Sequence, residues 1–244
     1  EDNVYLNDLS RGYFYLPPSL LLSEPGIGKT FFLSEFSSKV GTFFDIINME
    51  SVHAGFSLVG GASLYLDSDV GRIFKNMHSS AYANPIMVLD EVDKIGNTNQ
   101  SPVEPVLLPL LEEHTAKNFR DEFIEICCDI SKVVWVATAN DIKSISEPIQ
   151  SRFEIYNIPS PNFDERKILA QNIYKKVLKD VKCEAHFKNI LSDEVLSYIA
   201  QDEKSSRTMR KDLTKALARG ARKSRNEIIV EDILLTSGKK NIGF

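Results

Sequence analysis

Apolar and polar positions follow two different periods along this chain, and the changeover falls near residue 160. Before it, short β-rich apolar runs at 20–22, 43–47, 86–89 and 133–137 alternate with helical patterns. Strand-length runs separated by helix-length segments predict a parallel sheet covered on both faces. Beyond residue 160 no strand-like run exceeds 228–230, and three or four helical patterns follow. The stretch 163–181 reads as an amphipathic helix with Ile168, Leu169, Ile173 and Val177 on one face, capped by Asn162. Ser192 opens a second helix. Ser205 or Ser206 opens a third, carrying Met209, Leu213, Ala216 and Leu217, and 230–235 is a fourth. Pro159-Ser160-Pro161 breaks either pattern and marks the hinge. The expectation is an α/β domain over 1–160, followed by a small all-helical domain over 161–244.

Composition narrows the class. With 244 residues, 43% hydrophobic and 26% charged, the chain has the balance of a globular protein rather than a disordered or collagen-like one. No apolar run approaches the roughly 20 residues of a membrane helix, and Glu1-Asp2 does not open a basic, signal-like leader. Three cysteines, two of them adjacent (Cys127, Cys128), form neither a disulfide framework nor a zinc spacing. They point to a reducing compartment, cytosol or organelle matrix, with Cys127 and Cys128 as packing residues of an apolar stretch. The four histidines are scattered, without metal-ligand spacing. The net charge of −5 is uneven: residues 1–160 hold 22 acidic and 11 basic side chains, residues 161–244 hold 12 and 18. The basic part reads as a solvated helical face or, alternatively, as a nucleic-acid surface.

The first chemical signal is Ser23-Glu24-Pro25-Gly26-Ile27-Gly28-Lys29-Thr30, directly after an apolar run and before the helical pattern Phe31-Phe32-Leu33. Strand, glycine turn and helix form the setting of a phosphate-binding loop. Glycines let successive N–H groups turn inward around an anion, and the helix N-terminus adds positive partial charge. Lys29 is expected at the β- and γ-phosphates and the Thr30 hydroxyl on magnesium. Glu24, Pro25, Gly26, Ile27, Gly28 and Phe31 complete the candidate nucleotide contacts. Ser23 stands where the full motif has its first glycine.

The second signal is the apolar run 86–89 ending in Asp90-Glu91. Two carboxylates at the C-terminal edge of a parallel sheet stand where ligands bind in such folds. Adjacent acids also occur at ordinary strand ends; the loop gives this pair its meaning, with Asp90 on hydrated magnesium and Glu91 polarising the attacking water.

With these residues in view, the chain resembles an AAA+ ATPase, and more closely the ATPase module of the Lon protease family. Asp90-Glu91-Val92-Asp93-Lys94-Ile95 is similar to that family's second nucleotide motif. Asn118-Phe119-Arg120-Asp121, then Ile130-Ser131-Lys132-Val133 and Ala137-Thr138-Ala139-Asn140, resemble its stretch leading into sensor 1. Ser151-Arg152-Phe153-Glu154 sits at the arginine-finger segment, and Ser206-Arg207-Thr208-Met209-Arg210 resembles the sensor 2 helix. The resemblance implies a five-stranded parallel sheet with a helical lid, ATP and magnesium as cofactors, and a ring of six subunits. Asn140 would hold the attacking water and γ-phosphate, or serve simply as a turn former. Arg152 would reach the ATP of a neighbouring subunit. Arg207 would close from the lid, with Arg210 as the alternative.

Leu64-Tyr65-Leu66-Asp67 followed by Val70-Gly71-Arg72-Ile73 resembles the family's pore-loop region, with Asp67 replacing the usual small residue. Tyr65 and Leu66 would then grip an unfolded polypeptide; the competing reading buries both at a strand end. The resemblance covers no domain for the family's Ser–Lys peptidase dyad, so ATP hydrolysis is expected without peptide-bond cleavage. The segment that usually covers the adenine is expected to be short or missing. The function expected is ATP-driven unfolding and translocation of protein substrates. An AAA+ machine acting on DNA is the alternative, supported by the basic helical part alone, and a scaffold binding ATP without turnover is a third reading.

Overall fold

The computed structural model describes residues 14–62, 64, 68–95, 102–201 and 204–237. The described chain forms two compact units. One holds the residues up to Ser23 together with Lys29–Ile158; the other holds Glu24–Gly28 with the chain from Pro159 onward. The break at Pro159 falls at the hinge read from the two prolines, but five residues of the glycine loop group with the helical unit.

Among the described residues the first unit holds seven strands and six α-helices: β1 (Ser19–Leu22), α1 (Lys29–Val40), β2 (Phe44–Asn48), α2 (Phe56–Val59), α3 (Arg72–Ser79), β3 (Ile86–Asp90), α4 (Glu104–Leu111), α5 (Glu113–Ala116), β4 (Phe119–Arg120), β5 (Cys127–Cys128), β6 (Val134–Ala139), α6 (Glu147–Gln150) and β7 (Glu154–Asn157). Five of the strands pair in parallel in the order β2-β3-β6-β1-β7. The central strands are apolar on both faces because both are covered. Met87, Leu89, Trp135 and Ala137 point into one cluster with Leu107 and Leu111; Ile86, Val88, Val134 and Val136 point into the other with Leu33. This alternation leaves the polar residues Asp90 and Asn140 at the C-terminal edge, just past the apolar runs of β3 and β6.

Two features differ from the sequence expectation. β7 carries no apolar run: Glu154-Ile155-Tyr156-Asn157 is exposed throughout, as a sheet-edge strand can be. Residues 119–128 form a small antiparallel ribbon, Phe119 opposite Cys128 and Arg120 opposite Cys127. Cys127 is exposed and Cys128 half-buried, so they are not the buried packing pair expected. The apolar stretch containing them runs along a two-strand ribbon, which has no second layer to bury both faces.

The second unit holds α7 (Phe163–Asp180), α8 (Asp193–Gln201), α9 (Ser206–Arg222) and α10 (Val230–Ser237). Its core face on α7 is Ala170, Tyr174, Val177 and Leu178, with Leu169 and Ile173 partly buried. Ile168, expected on that face, is 63% exposed. A stripe drawn through aliphatics alone was rotated, because Ala170 and Tyr174 hold its centre. The Tyr174 hydroxyl donates to the Lys188 carbonyl at 2.9 Å, and burial pushes its pKa up to about 12. Met209, Leu213, Ala216 and Leu217 are buried on α9 as the period predicts.

Asn162 and Glu165 cap α7 reciprocally: Asn162 Oδ1 accepts from the Glu165 N–H at 3.0 Å, and Glu165 Oε2 from the Asn162 N–H at 2.8 Å. Asn162→Ala should cost about 1 kcal/mol and lower the melting temperature by about 2–4 °C in a thermal unfolding scan. An unchanged transition would remove the cap from the stabilising interactions.

Candidate active site

The glycine loop leaves β1 at Ser23 and enters α1 at Lys29. Gly26 and Gly28 take φ of +83° and +103°, a region that side chains with a Cβ rarely adopt. A Cβ on Gly26 would also stand 2.5 Å from the Ser205 Cβ. The Gly26 carbonyl accepts from the Ser206 N–H at 3.0 Å, and Glu24 Oε2 from the Ser160 hydroxyl at 2.7 Å. A cleft of about 130 Å³ opens in the helical unit, lined by Glu24, Pro25, Gly26 and Ile27 with Arg166 and Lys204 among others. Phe31, taken as a nucleotide contact, is 52% exposed in the first turn of α1.

Lys29 is the hub of the α/β unit's half of the motif. Its ammonium donates to the Ser23 carbonyl (3.0 Å), the Ser23 hydroxyl (2.8 Å), the Ala139 carbonyl (3.2 Å) and Asn140 Oδ1 (3.0 Å). Burial pushes its pKa below the ordinary lysine value, and the negative charges of Asp93, Asp90 and Glu91 oppose that shift. Asn140, expected to face attacking water, here holds Lys29. Its own N–H donates to Asp93 Oδ2 at 3.1 Å, and the next N–H, of Asp141, does so at 3.2 Å.

Asp90 ends β3 and accepts through Oδ1 from the Thr138 hydroxyl at 2.6 Å and the Thr30 hydroxyl at 3.3 Å. The structure thus brings Thr30 and Asp90, the two candidate magnesium ligands, side by side. Glu91 follows with φ 60° and ψ 51°, a left-handed conformation costing on the order of 1–3 kcal/mol in a non-glycine residue. It is held there by its N–H on Thr138 Oγ1 (3.0 Å) and by the turn closing from the Lys94 N–H to its carbonyl (2.9 Å). The Glu91 carboxylate pairs with Lys94 at 2.9 Å, a surface ion pair that is easily exchanged.

Arg152 follows α6, its guanidinium paired with Glu112 of the same chain and 3.1 Å from the Ser151 hydroxyl. Its Nε is buried without a hydrogen-bond partner. In the helical unit Arg207 is exposed in the first turn of α9, whereas Arg210, the alternative for its role, is paired with Asp180 at 2.7 Å. Tyr65 and Leu66 lie outside the described residues. Their neighbour Leu64 is 94% exposed. In the described chain on either side, the Ser68 hydroxyl donates to the Ala62 carbonyl (2.8 Å) and the Gly71 N–H to buried Asp121 (2.8 Å). Sequence reasoning gave no role to Thr138, Asp93, Lys94 or Glu112. Thr138, Asp93 and Lys94 carried a signal, each lying inside a quoted motif; Glu112 carried none, because its partner is 40 residues away.

The donor set fits a magnesium nucleotide. Magnesium bound with phosphates takes one or two protein oxygens rather than a full protein cage, and Thr30 with Asp90 would supply them. Among the described residues no group of three or more His, Cys, Asp or Glu is arranged to hold a metal by protein ligands alone.

Residues 19–159 match the model of the ATPase family associated with various cellular activities (AAA). The chain is 31% identical to a Lon protease of Fusobacterium nucleatum over 87% of its own length and 28% of that protein. It is 30% identical to the peroxisomal Lon protease homolog 2 of Spinacia oleracea over 84% of its length and 23% of that protein. It therefore spans about a quarter of the length of these curated relatives. Among solved structures it resembles RuvB of Thermotoga maritima, a Holliday junction branch migration motor, with TM-score 0.62 and 18% identity, over 96% of this chain and 64% of that one. A likeness at that identity establishes the fold alone.

Proposed function

The chain belongs to the AAA family of ATPases and is an ATP hydrolase similar to the ATPase region of Lon proteases, and from that premise we propose that it unfolds and translocates protein substrates. The α/β part up to about residue 160 binds the nucleotide, and the helical part from 161 acts as a lid. Lys29 and the N–H groups of the loop hold the phosphates, while Thr30 and Asp90 hold magnesium, which would neutralise phosphate charge. Glu91 orients and deprotonates the attacking water once it leaves Lys94. Asn140 passes from Lys29 to the γ-phosphate. Arg207 closes from the lid, and Arg152 completes the pocket of the next subunit in a homohexamer, a heterologous contact that closes by rotation. Cytosol or an organelle matrix is the proposed compartment, supported by bacterial and peroxisomal relatives. Among the described residues no helix is long and apolar enough to cross a membrane.

The observation that carries the polypeptide reading is Leu64. A leucine 94% exposed, next in sequence to Tyr65 and Leu66, supports an apolar grip presented to an extended chain. Tyr65→Ala should abolish the stimulation of ATP hydrolysis by an unfolded protein, making stimulated and basal rates equal. A core tyrosine behaves otherwise: truncating a large buried aromatic costs about 3–5 kcal/mol. A variant with a lowered melting temperature and an unchanged stimulation ratio would return Tyr65 to the core and overturn the grip.

A further inference from the structure

Ser23 is where this chain departs from the phosphate-loop pattern, and the structure gives the departure a use. The residue is 8% exposed, its N–H donates to the Ala139 carbonyl at 3.3 Å, and its hydroxyl makes the shortest of the Lys29 contacts above, 2.8 Å. Its φ is not positive, unlike that of Gly26 and Gly28. The backbone at this position therefore does not require glycine, and a side chain with a Cβ is already accommodated.

An ammonium has three N–H donors. Oxygens at 2.8–3.2 Å from the Lys29 ammonium include two backbone carbonyls, one amide oxygen and the Ser23 hydroxyl. These acceptors already outnumber its donors, so a phosphate oxygen approaching this ammonium competes with them. The carbonyls of Ser23 and Ala139 belong to the β1–β6 edge, where the two strands are in register. Asn140 Oδ1 and Ser23 Oγ are side-chain acceptors. A glycine at position 23 would remove the second.

We propose that Ser23 is a positioning residue: its hydroxyl holds the Lys29 ammonium against the end of β1 and competes with the incoming phosphate, setting ATP affinity. The inference rests on the reading of Lys29 as the phosphate-binding lysine. A contact that the phosphate has to displace opposes binding, so removing it strengthens binding of substrate and transition state alike. Uniform strengthening of that kind lowers KM and leaves kcat in place. A hydrogen bond to a charged group carries enough free energy for an effect of about tenfold.

The test uses the 244-residue chain with Mg-ATP, following steady-state hydrolysis and the displacement of a fluorescent ATP analogue. Ser23→Ala and Ser23→Gly should each lower KM and Kd about tenfold with kcat unchanged, and Ser23→Thr, which keeps the hydroxyl, should match the parent. Agreement between Ala and Gly separates the hydroxyl from any gain in backbone freedom. An Ala variant that binds ATP no tighter than the parent overturns the proposal. So does a Thr variant that tightens like Ala, since that would make side-chain bulk the cause. Lys29→Ala is the separate control. If it binds ATP as tightly as the parent, the phosphate-site reading has failed, and this proposal falls with it.

Discussion

Arg152→Ala is expected to lower ATP turnover by roughly three to five orders of magnitude, the range in which an arginine supplied to a transferring phosphoryl group acts. The guanidinium stands at the end of α6, fixed by the Arg152 N–H on the Ile149 carbonyl at 3.1 Å and by buried Phe153 beside it. Its charge is paired with Glu112 of the same chain, with side chains 34% and 39% exposed. A pair so open to water is worth at most about 1 kcal/mol, and the buried Nε gains nothing from it. Release toward a neighbour's phosphate therefore meets little resistance. Two consequences separate action in trans from action within one chain. Turnover per subunit should rise with protein concentration. Mixing Arg152→Ala with Lys29→Ala subunits should restore part of the activity, because some interfaces pair an intact pocket with an intact arginine. No recovery at any ratio would confine Arg152 to its own chain. Arg152→Lys should recover little, since a point charge does not reproduce the planar fork.

What the sequence disclosed follows from how local each signal is. The strands β1, β3 and β6 were legible because they lie inside the sheet and read as continuous apolar runs; β2 and β7 are its two edges, and of these only β2, with Phe44, Ile46 and Ile47, keeps an apolar signal. The glycine loop, Asp90 and Glu91 were legible because each depends on neighbours within a few positions. The network around them was not. Thr138 meets Asp90 across 48 residues, Lys29 meets Asn140 across 111, and Glu112 meets Arg152 across 40. The parallel register of β1, β3 and β6 brings the first two pairs together, and the packing of α4 against α6 brings the third. The period of α7 was legible but its phase was not, because Ala170 and Tyr174 outrank Ile168 in the packing. Burial there depends on what the neighbouring helices offer, which no single-helix pattern contains.

Glu91→Gln is expected to retain ATP affinity and lose most turnover, a fall of roughly two to four orders of magnitude. The amide keeps the shape of the side chain but cannot take a proton from water. The backbone that aims it should be unaltered, because the left-handed turn is held by main-chain contacts, the Glu91 N–H on Thr138 Oγ1 and the Lys94 N–H on the Glu91 carbonyl. The substitution does weaken the Lys94 pair, and Lys94→Ala isolates that loss. If the pair merely parks the carboxylate, Lys94→Ala should change turnover far less than Glu91→Gln. Lys29→Ala should behave in the opposite sense, weakening nucleotide binding itself, since it removes the positive charge placed among Asp90, Glu91 and Asp93. The two variants thus divide the site into a charge that binds and a base that reacts. Binding by displacement of a fluorescent nucleotide and turnover by phosphate release measure the two separately. Wild-type turnover in Glu91→Gln would strip Glu91 of the base role, and the left-handed strain at that residue would need another use.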